Sequence, residues 1–215
     1  MNADTATLEK LLSGPNQYVI PIFQRYYSWH RSDWENIWDE ITNLRDPEQG
    51  AQAHFMGSIV LDSQRQKSLG KPAFQVIDGQ QRLMTFILVM CALRNAAKRQ
   101  GFEQLCEAIE KTTLLDPFEE GNLRFRVYPR HRDRDSFIMA VEGNGKVEGR
   151  IAEALAFFSE RVEQLEEAKM EKDLKKFFDL IKRRIEFVHI ILEGENVYEI
   201  FRSSTRPDSP SAKPI

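Results

Sequence analysis

The chain has 215 residues, 41% apolar and 29% charged, with a formal net charge of −3. That apolar content supports one sizeable core, while the charge balance excludes a general polyanion binder, so contact with nucleic acid has to be local. The longest apolar run, Phe86 to Leu93, falls far short of the ~20 residues of a membrane span, and no basic-then-apolar leader is visible; a cytoplasmic protein without a membrane partner is expected.

In chain order, Thr5 to Ser13 reads as a short helix with Leu8, Leu11 and Leu12 on one face, stopped by Gly14-Pro15. Tyr18 to Ile22 reads as a strand whose Pro21 argues for an edge or a strand end. The loop Phe23 to Trp29 mixes polar and aromatic residues. In it Gln24 and Arg25 suit phosphate, and the rings either stack on a base or pin the loop to the core. Ser32-Asp33-Trp34-Glu35 looks like a capping box opening a helix with the buried stripe Trp34, Ile37, Trp38, Ile41 and Leu44.

His54 to Asp62 is a predicted strand, with Gly57 as a bulge or close backbone approach. Ser63 to Pro72 makes a hairpin-like connection to a strand over Ala73 to Ile77. There follow five polar or flexible residues, Asp78-Gly79-Gln80-Gln81-Arg82, and then Leu83, Phe86, Ile87, Met90 and Leu93 at helical spacing until Gly101. The polar cluster therefore occupies a helix N-terminus, where unpaired N–H groups and the dipole favour an anion. Two readings stand side by side. Asp78 and Gln81 make a variant capping box; alternatively the turn is a site, with Gly79 allowing close approach of a phosphate, Asp78 a candidate metal ligand, Gln80 and Gln81 amide hydrogen-bonders and Arg82 a fork-shaped cation for phosphate oxygens. An arginine in a first turn opposes the helix dipole, which favours the site.

Beyond it, Phe102 to Lys111 is a short helix, Asp116 to Gly121 a loop, and Leu123 to Tyr128 alternates like a half-buried strand. Arg124, Arg126, Arg130 and Arg132 form a candidate anion-facing patch, with a surface helix start laced with Arg–Asp pairs as its alternative. After Gly143-Asn144-Gly145 come two amphipathic helices: Ile151, Leu155, Phe158, Val162 and Leu165 mark the first, and Leu174, Phe177, Phe178, Ile181 and Ile185 the second. They should pack on each other or on the first region. An apolar strand over Phe187 to Leu192, a helix over Asn196 to Arg202 and a tail of disordered composition complete the chain.

Several chemistries lack their motif. There is no Walker loop, the histidines at 30, 54, 131 and 189 show no metal-ligand spacing, and Cys91 and Cys106 form no Cys-x-x-Cys pair.

Three segments in order, Ile20-Pro21-Ile22-Phe23-Gln24-Arg25-Tyr26-Tyr27-Ser28-Trp29, Phe55-Met56-Gly57-Ser58-Ile59 and Val76-Ile77-Asp78-Gly79-Gln80-Gln81-Arg82-Leu83, resemble the N-terminal domain of GmrSD-type, modification-dependent restriction systems. The resemblance implies an α+β fold of ParB/sulfiredoxin type, a small mixed sheet flanked by helices with a helical C-terminal extension. It implies a nucleotide-binding region at 1–128, the extension at 129–202 and a tail at 203–215. It further implies an NTP-hydrolysing or nucleotide-sensing role in defence against modified phage DNA. The catalytic role falls on Asp78, Gln81 and Arg82, nucleotide binding on Gln24, Arg25, Gly79, Gln80 and Arg82, and the Mg2+ carried by the NTP on Asp78. Expected partners are a nucleotide, DNA either directly or through a partner, and a separate nuclease domain or subunit, with a homo-oligomer left open; a non-catalytic nucleotide or DNA switch is the alternative. Relatives usually continue with Phe-x-x-x-Asn-x-x-Gly, but the residues after Phe201 lack the asparagine and glycine.

Overall fold

The helix that follows the polar cluster, α3 (Gln80–Arg99), is buried on every side from Leu83 to Leu93. A helix apolar all round belongs in a core, and the computed structural model, which describes residues 2–45, 53–63, 72–130, 132–165 and 169–192, shows what encloses it. On one side lies a six-stranded mixed sheet; on the others lie helices.

The strands are β1 (Asn2–Thr7), β2 (Gln17–Ile20), β3 (His54–Asp62), β4 (Ala73–Asp78), β5 (Val127–Pro129) and β6 (Ile185–Leu192), in the order β1-β6-β3-β4-β2-β5. β2 runs parallel to both β4 and β5, and β3 runs antiparallel to β4 and parallel to β6. Period-2 alternation puts Ile59, Val76 and Phe187 in the main core, while Val60, Ile77, Ile190 and Leu192 cluster on the opposite face.

The remaining helices are α1 (Leu8–Ser13), α2 (Arg31–Asn43), α4 (Glu103–Ile109), α5 (Arg134–Glu142), α6 (Gly149–Glu163) and α7 (Glu171–Arg184). Both amphipathic helices dock on the first region rather than chiefly on each other: Trp38 of α2 meets Phe158 of α6 with ring centroids 6.3 Å apart and Phe177 of α7 at 6.1 Å. The buried stripe of α6 is Ile151, Ala154, Phe157, Phe158 and Val162, with Leu155 half-buried beside it. Arg94, 1% exposed on α3, donates to Ala140 O and Val141 O, both at 2.9 Å, at the last turn of α5. An Arg side chain that satisfies terminal carbonyls of a helix is a cap built from elsewhere in the fold.

Five departures from the sequence reading have physical causes. Residues 2–7 form β1, pairing with β6, so the first helix begins only at Leu8. β2 ends at Ile20 and is interior; Pro21 marks a strand end, not an edge. α2 opens two residues early, with the backbone N–H of His30 donating to Asp33 Oδ2 at 2.8 Å. Leu123 to Tyr128 is no continuous strand: a 3-10 turn covers Gly121–Arg124 before β5, and Arg126 is buried, 4% exposed. Finally, β6 lies between β1 and β3, so the region after residue 128 contributes an interior strand to the same sheet besides its helices. The helix over Asn196 to Arg202 and the tail lie outside the described residues.

Candidate functional site

Parallel strands deliver their following loops to one edge of a sheet, the common place for a ligand crevice. Here the carboxyl ends of β2, β4 and β5 share an edge, and β3, antiparallel to β4, begins there. The loop after Ile20, the turn at Asp78-Gly79, the segment after Pro129 and the start of β3 therefore meet. Between the first two opens a pocket of about 560 Å³, walled by Phe23, Gln24, Arg25 and Trp29 on one side and by Asp78, Gly79, Gln80, Gln81 and Arg82 on the other. Every residue assigned above to catalysis or nucleotide binding lines it.

The glutamines build this pocket, and they are mostly spent in doing so. Gln81 uses both ends of its amide: Nε2 donates to Tyr26 O at 2.9 Å and Oε1 accepts from the N–H of Ser28 at 2.8 Å. That clamp gives Gln81 a scaffolding role in the loop, with one N–H and one lone pair of its amide still uncommitted. Gln24 donates through Nε2 to Ile77 O at 2.7 Å. Gln80, 4% exposed, donates through Nε2 to Arg25 O at 3.1 Å, while its Oε1 is buried without a partner among the described residues. The loop is pinned from below as well. Tyr27 OH pairs with Thr85 Oγ1 at 2.7 Å and accepts from Trp34 Nε1 at 2.9 Å, and burial pushes its phenol well above the usual range, so it stays neutral. Tyr27 N–H donates to Asp133 Oδ2 at 2.6 Å, tying the loop to the start of α5.

Arg82 is held by a glycine. Gly57, at φ +100° in an irregular stretch of β3, leaves room for the guanidinium: a Cβ there would lie 2.8 Å from Arg82 Cζ. Next to it, Arg82 Nη1 donates to Ser58 O at 3.0 Å. Sequence reasoning marked Gly57 as a close approach without finding what approaches it. Gly79 has a packing reason of its own. It is the N-cap of α3 at φ +87°, and a Cβ there would lie 2.9 Å from Ser58 O, so packing against β3 by itself demands a glycine. Asp78 is the exposed last residue of β4, and no side chain caps α3, so the capping-box reading fails and the first-turn N–H groups keep their capacity for an anion.

The four-arginine patch does not survive as one surface. Arg126 is buried and pairs with Asp116 Oδ2 at 3.2 Å, and Nη1 also donates to Gly14 O. Arg124 pairs with Glu142 and lies over the Phe125 ring, 5.1 Å from its centroid. Arg130 and Arg132 remain exposed, at the pocket's edge of the sheet, whereas Arg134 and Asp135 at the start of α5 form the Arg–Asp pair of the alternative reading.

The model of one protein family, GmrSD restriction endonuclease, N-terminal domain, matches residues 8–206. The chain belongs to this family. Membership in the GmrSD N-terminal family implies a role in a restriction system. No curated protein gives a match. Among the described residues no helix is long and apolar enough to cross a membrane.

Proposed function

We propose that this GmrSD N-terminal domain binds a nucleoside triphosphate with Mg2+ in the 560 Å³ pocket and hydrolyses it, governing a modified-DNA nuclease that lies outside residues 1–215. The observation that carries the reading is the convergence of an uncapped helix N-terminus, two guanidinium groups and one exposed carboxylate on a single pocket.

That donor set fits a metal-bound triphosphate. Mg2+ retains water and binds through one or two carboxylates together with phosphate oxygens; Asp78 supplies one, and among the described residues no group of three acidic, His or Cys ligands exists to hold an ion by itself. Bound there, the ion neutralises phosphate charge. The chain's own residues do the rest. The first-turn N–H groups of α3 receive phosphate oxygens, Arg82 fixes its fork at Ser58 O and offers its other donors to the pocket, and Arg25 adds a cation from the opposite wall. Phe23 and Trp29 exclude water and present apolar faces.

A non-catalytic switch is the second reading, favoured by the commitment of Gln24 and Gln81 to backbone groups. Phosphate release from each of the four NTPs with magnesium, with and without DNA, separates the two. Turnover lost in both Asp78→Ala and Arg82→Ala, in proteins that still fold, is expected. Turnover that persists in Asp78→Ala overturns the assignment, and nucleotide binding without phosphate release selects the switch.

A further inference from the structure

A second cavity of about 250 Å³ adjoins the first and shares Trp29 and Arg82 with it as walls. Its remaining lining differs in chemistry. Asp33, Asn36 and Glu40 recur at three- and four-residue spacing on α2 and so share one face of that helix. Phe55, at the start of β3, lines the same cavity and is 58% exposed, which is unusual for a phenylalanine. Asp33 uses Oδ2 for its own helix cap, and Glu40 Oε2 faces His54 Nε2 at 3.4 Å. Each carboxylate thereby keeps its other oxygen as an acceptor, and the exposed amide of Asn36 adds a donor and an acceptor.

We propose that this cavity receives the nucleobase and reads an exocyclic amino group. The inference rests on the nucleotide reading of the larger pocket. Charge sorts the two ends of such a ligand: phosphates are drawn to Arg25, Arg82 and the α3 N-terminus and repelled by Asp33 and Glu40, so the uncharged end faces the acids. An aromatic heterocycle is the uncharged group that uses both kinds of lining, its faces against Trp29 and Phe55 and its edge against a carboxylate and an amide. Carboxylate oxygens accept only, so the edge they select carries N–H donors. Glu40 and Asn36, adjacent on the helix, are the specificity-determining pair.

The test measures affinity, with magnesium, for GTP against ITP and for ATP against purine riboside triphosphate, pairs that differ by one amino group, and for inorganic triphosphate as a probe of the phosphate pocket alone. The wild-type chain should favour the amino-bearing member by about tenfold. Asn36→Ala and the double variant Asn36→Ala/Glu40→Ala place the best helix former on the surface of α2; they should remove the preference without weakening inorganic triphosphate binding, which the loss of the Glu40 charge can only strengthen. Equal affinity within each wild-type pair, or a preference that survives in the double variant, overturns the base subsite while the phosphate pocket stands. Failure of inorganic triphosphate and every nucleotide to bind the wild type overturns both.

Discussion

Replacing Gly57 with alanine asks whether the irregular stretch of β3 seats the pocket's arginine. Two costs add. At φ +100° an L-residue is strained by about 1–3 kcal/mol. The new Cβ would also stand 2.8, 2.9 and 3.0 Å from Cζ, Nη1 and Nη2 of Arg82, so the guanidinium has to leave Ser58 O. A hydrogen bond from a charged group contributes about 1.5–3 kcal/mol, and because Arg82 is only half-buried its displaced head regains water, which favours the lower end. The total is about 3 kcal/mol. In an Arg82→Ala background the collision and the hydrogen bond are both absent, leaving only the backbone strain, so the same substitution should cost about 1.5 kcal/mol less there. Urea unfolding of the four proteins, with the linear extrapolation applied to each, measures this difference. An equal cost in both backgrounds would refute the seat, and so would a Gly57→Ala protein that binds inorganic triphosphate as the wild type does.

Other perturbations follow from the same geometry. Asp78→Ala should leave stability within about 0.5 kcal/mol of wild type, because Asp78 is exposed and Gly79 is the cap; a loss near the ~1 kcal/mol of a missing N-cap, seen in denaturant melts, would restore the capping role. Gln81→Leu should lower stability by about 1–3 kcal/mol, since it removes both hydrogen bonds that pin the loop at Tyr26 O and the Ser28 N–H, and calorimetry that finds an unchanged melting temperature argues against the clamp. Asp116→Ala should cost about 3–5 kcal/mol, because it removes the carboxylate that neutralises the buried Arg126 charge; equilibrium unfolding reads this directly. Burial raises the Cys91 thiol to about 12, so at pH 8 the native protein should show no alkylation of Cys91 by iodoacetamide in mass spectra, and rapid labelling would contradict its burial.

How much of this was legible in the sequence depended on whether the determining contact is local. The strand, turn and helix around Asp78 could be read because β-branched residues, a glycine and helical spacing all lie within one stretch. α2 was recognised from its stripe but misplaced at its start, since Ser32 to Glu35 and His30 to Asp33 offer two boxes two residues apart and only the backbone decides. β1 escaped because Asn-Ala-Asp-Thr-Ala-Thr carries little pattern of its own; its strand state is imposed by β6, far along the chain. Arg126 misled for a related reason. Alternation treats a charged residue as outward-facing, and the pairing with Asp116 that neutralises this one inside is invisible to periodicity. The sequence grouped residues that line one pocket, whereas their contacts were not legible: that Gln81 clamps and Arg82 sits on Gly57 follows from partners in two other segments.

This dependence on distant partners bears on what the site can do. The stretch of β3 that holds Arg82 is fixed from both sides. Downstream of Gly57 it pairs with β4, which carries Asp78, and on its other edge Ser58 is registered with Val188 and Phe55 with Glu186 of β6, the shift between them falling at Gly57. β6 thus sets where the pairing breaks, and the break sets where the guanidinium rests. A domain boundary near residue 128 would remove β6 and leave that part of β3 with an open edge and no fixed register. The pocket is therefore a product of the whole described sheet, and a shift of β6 against β3 would reach Arg82 within one strand, a short mechanical route between residues 185–192 and the pocket.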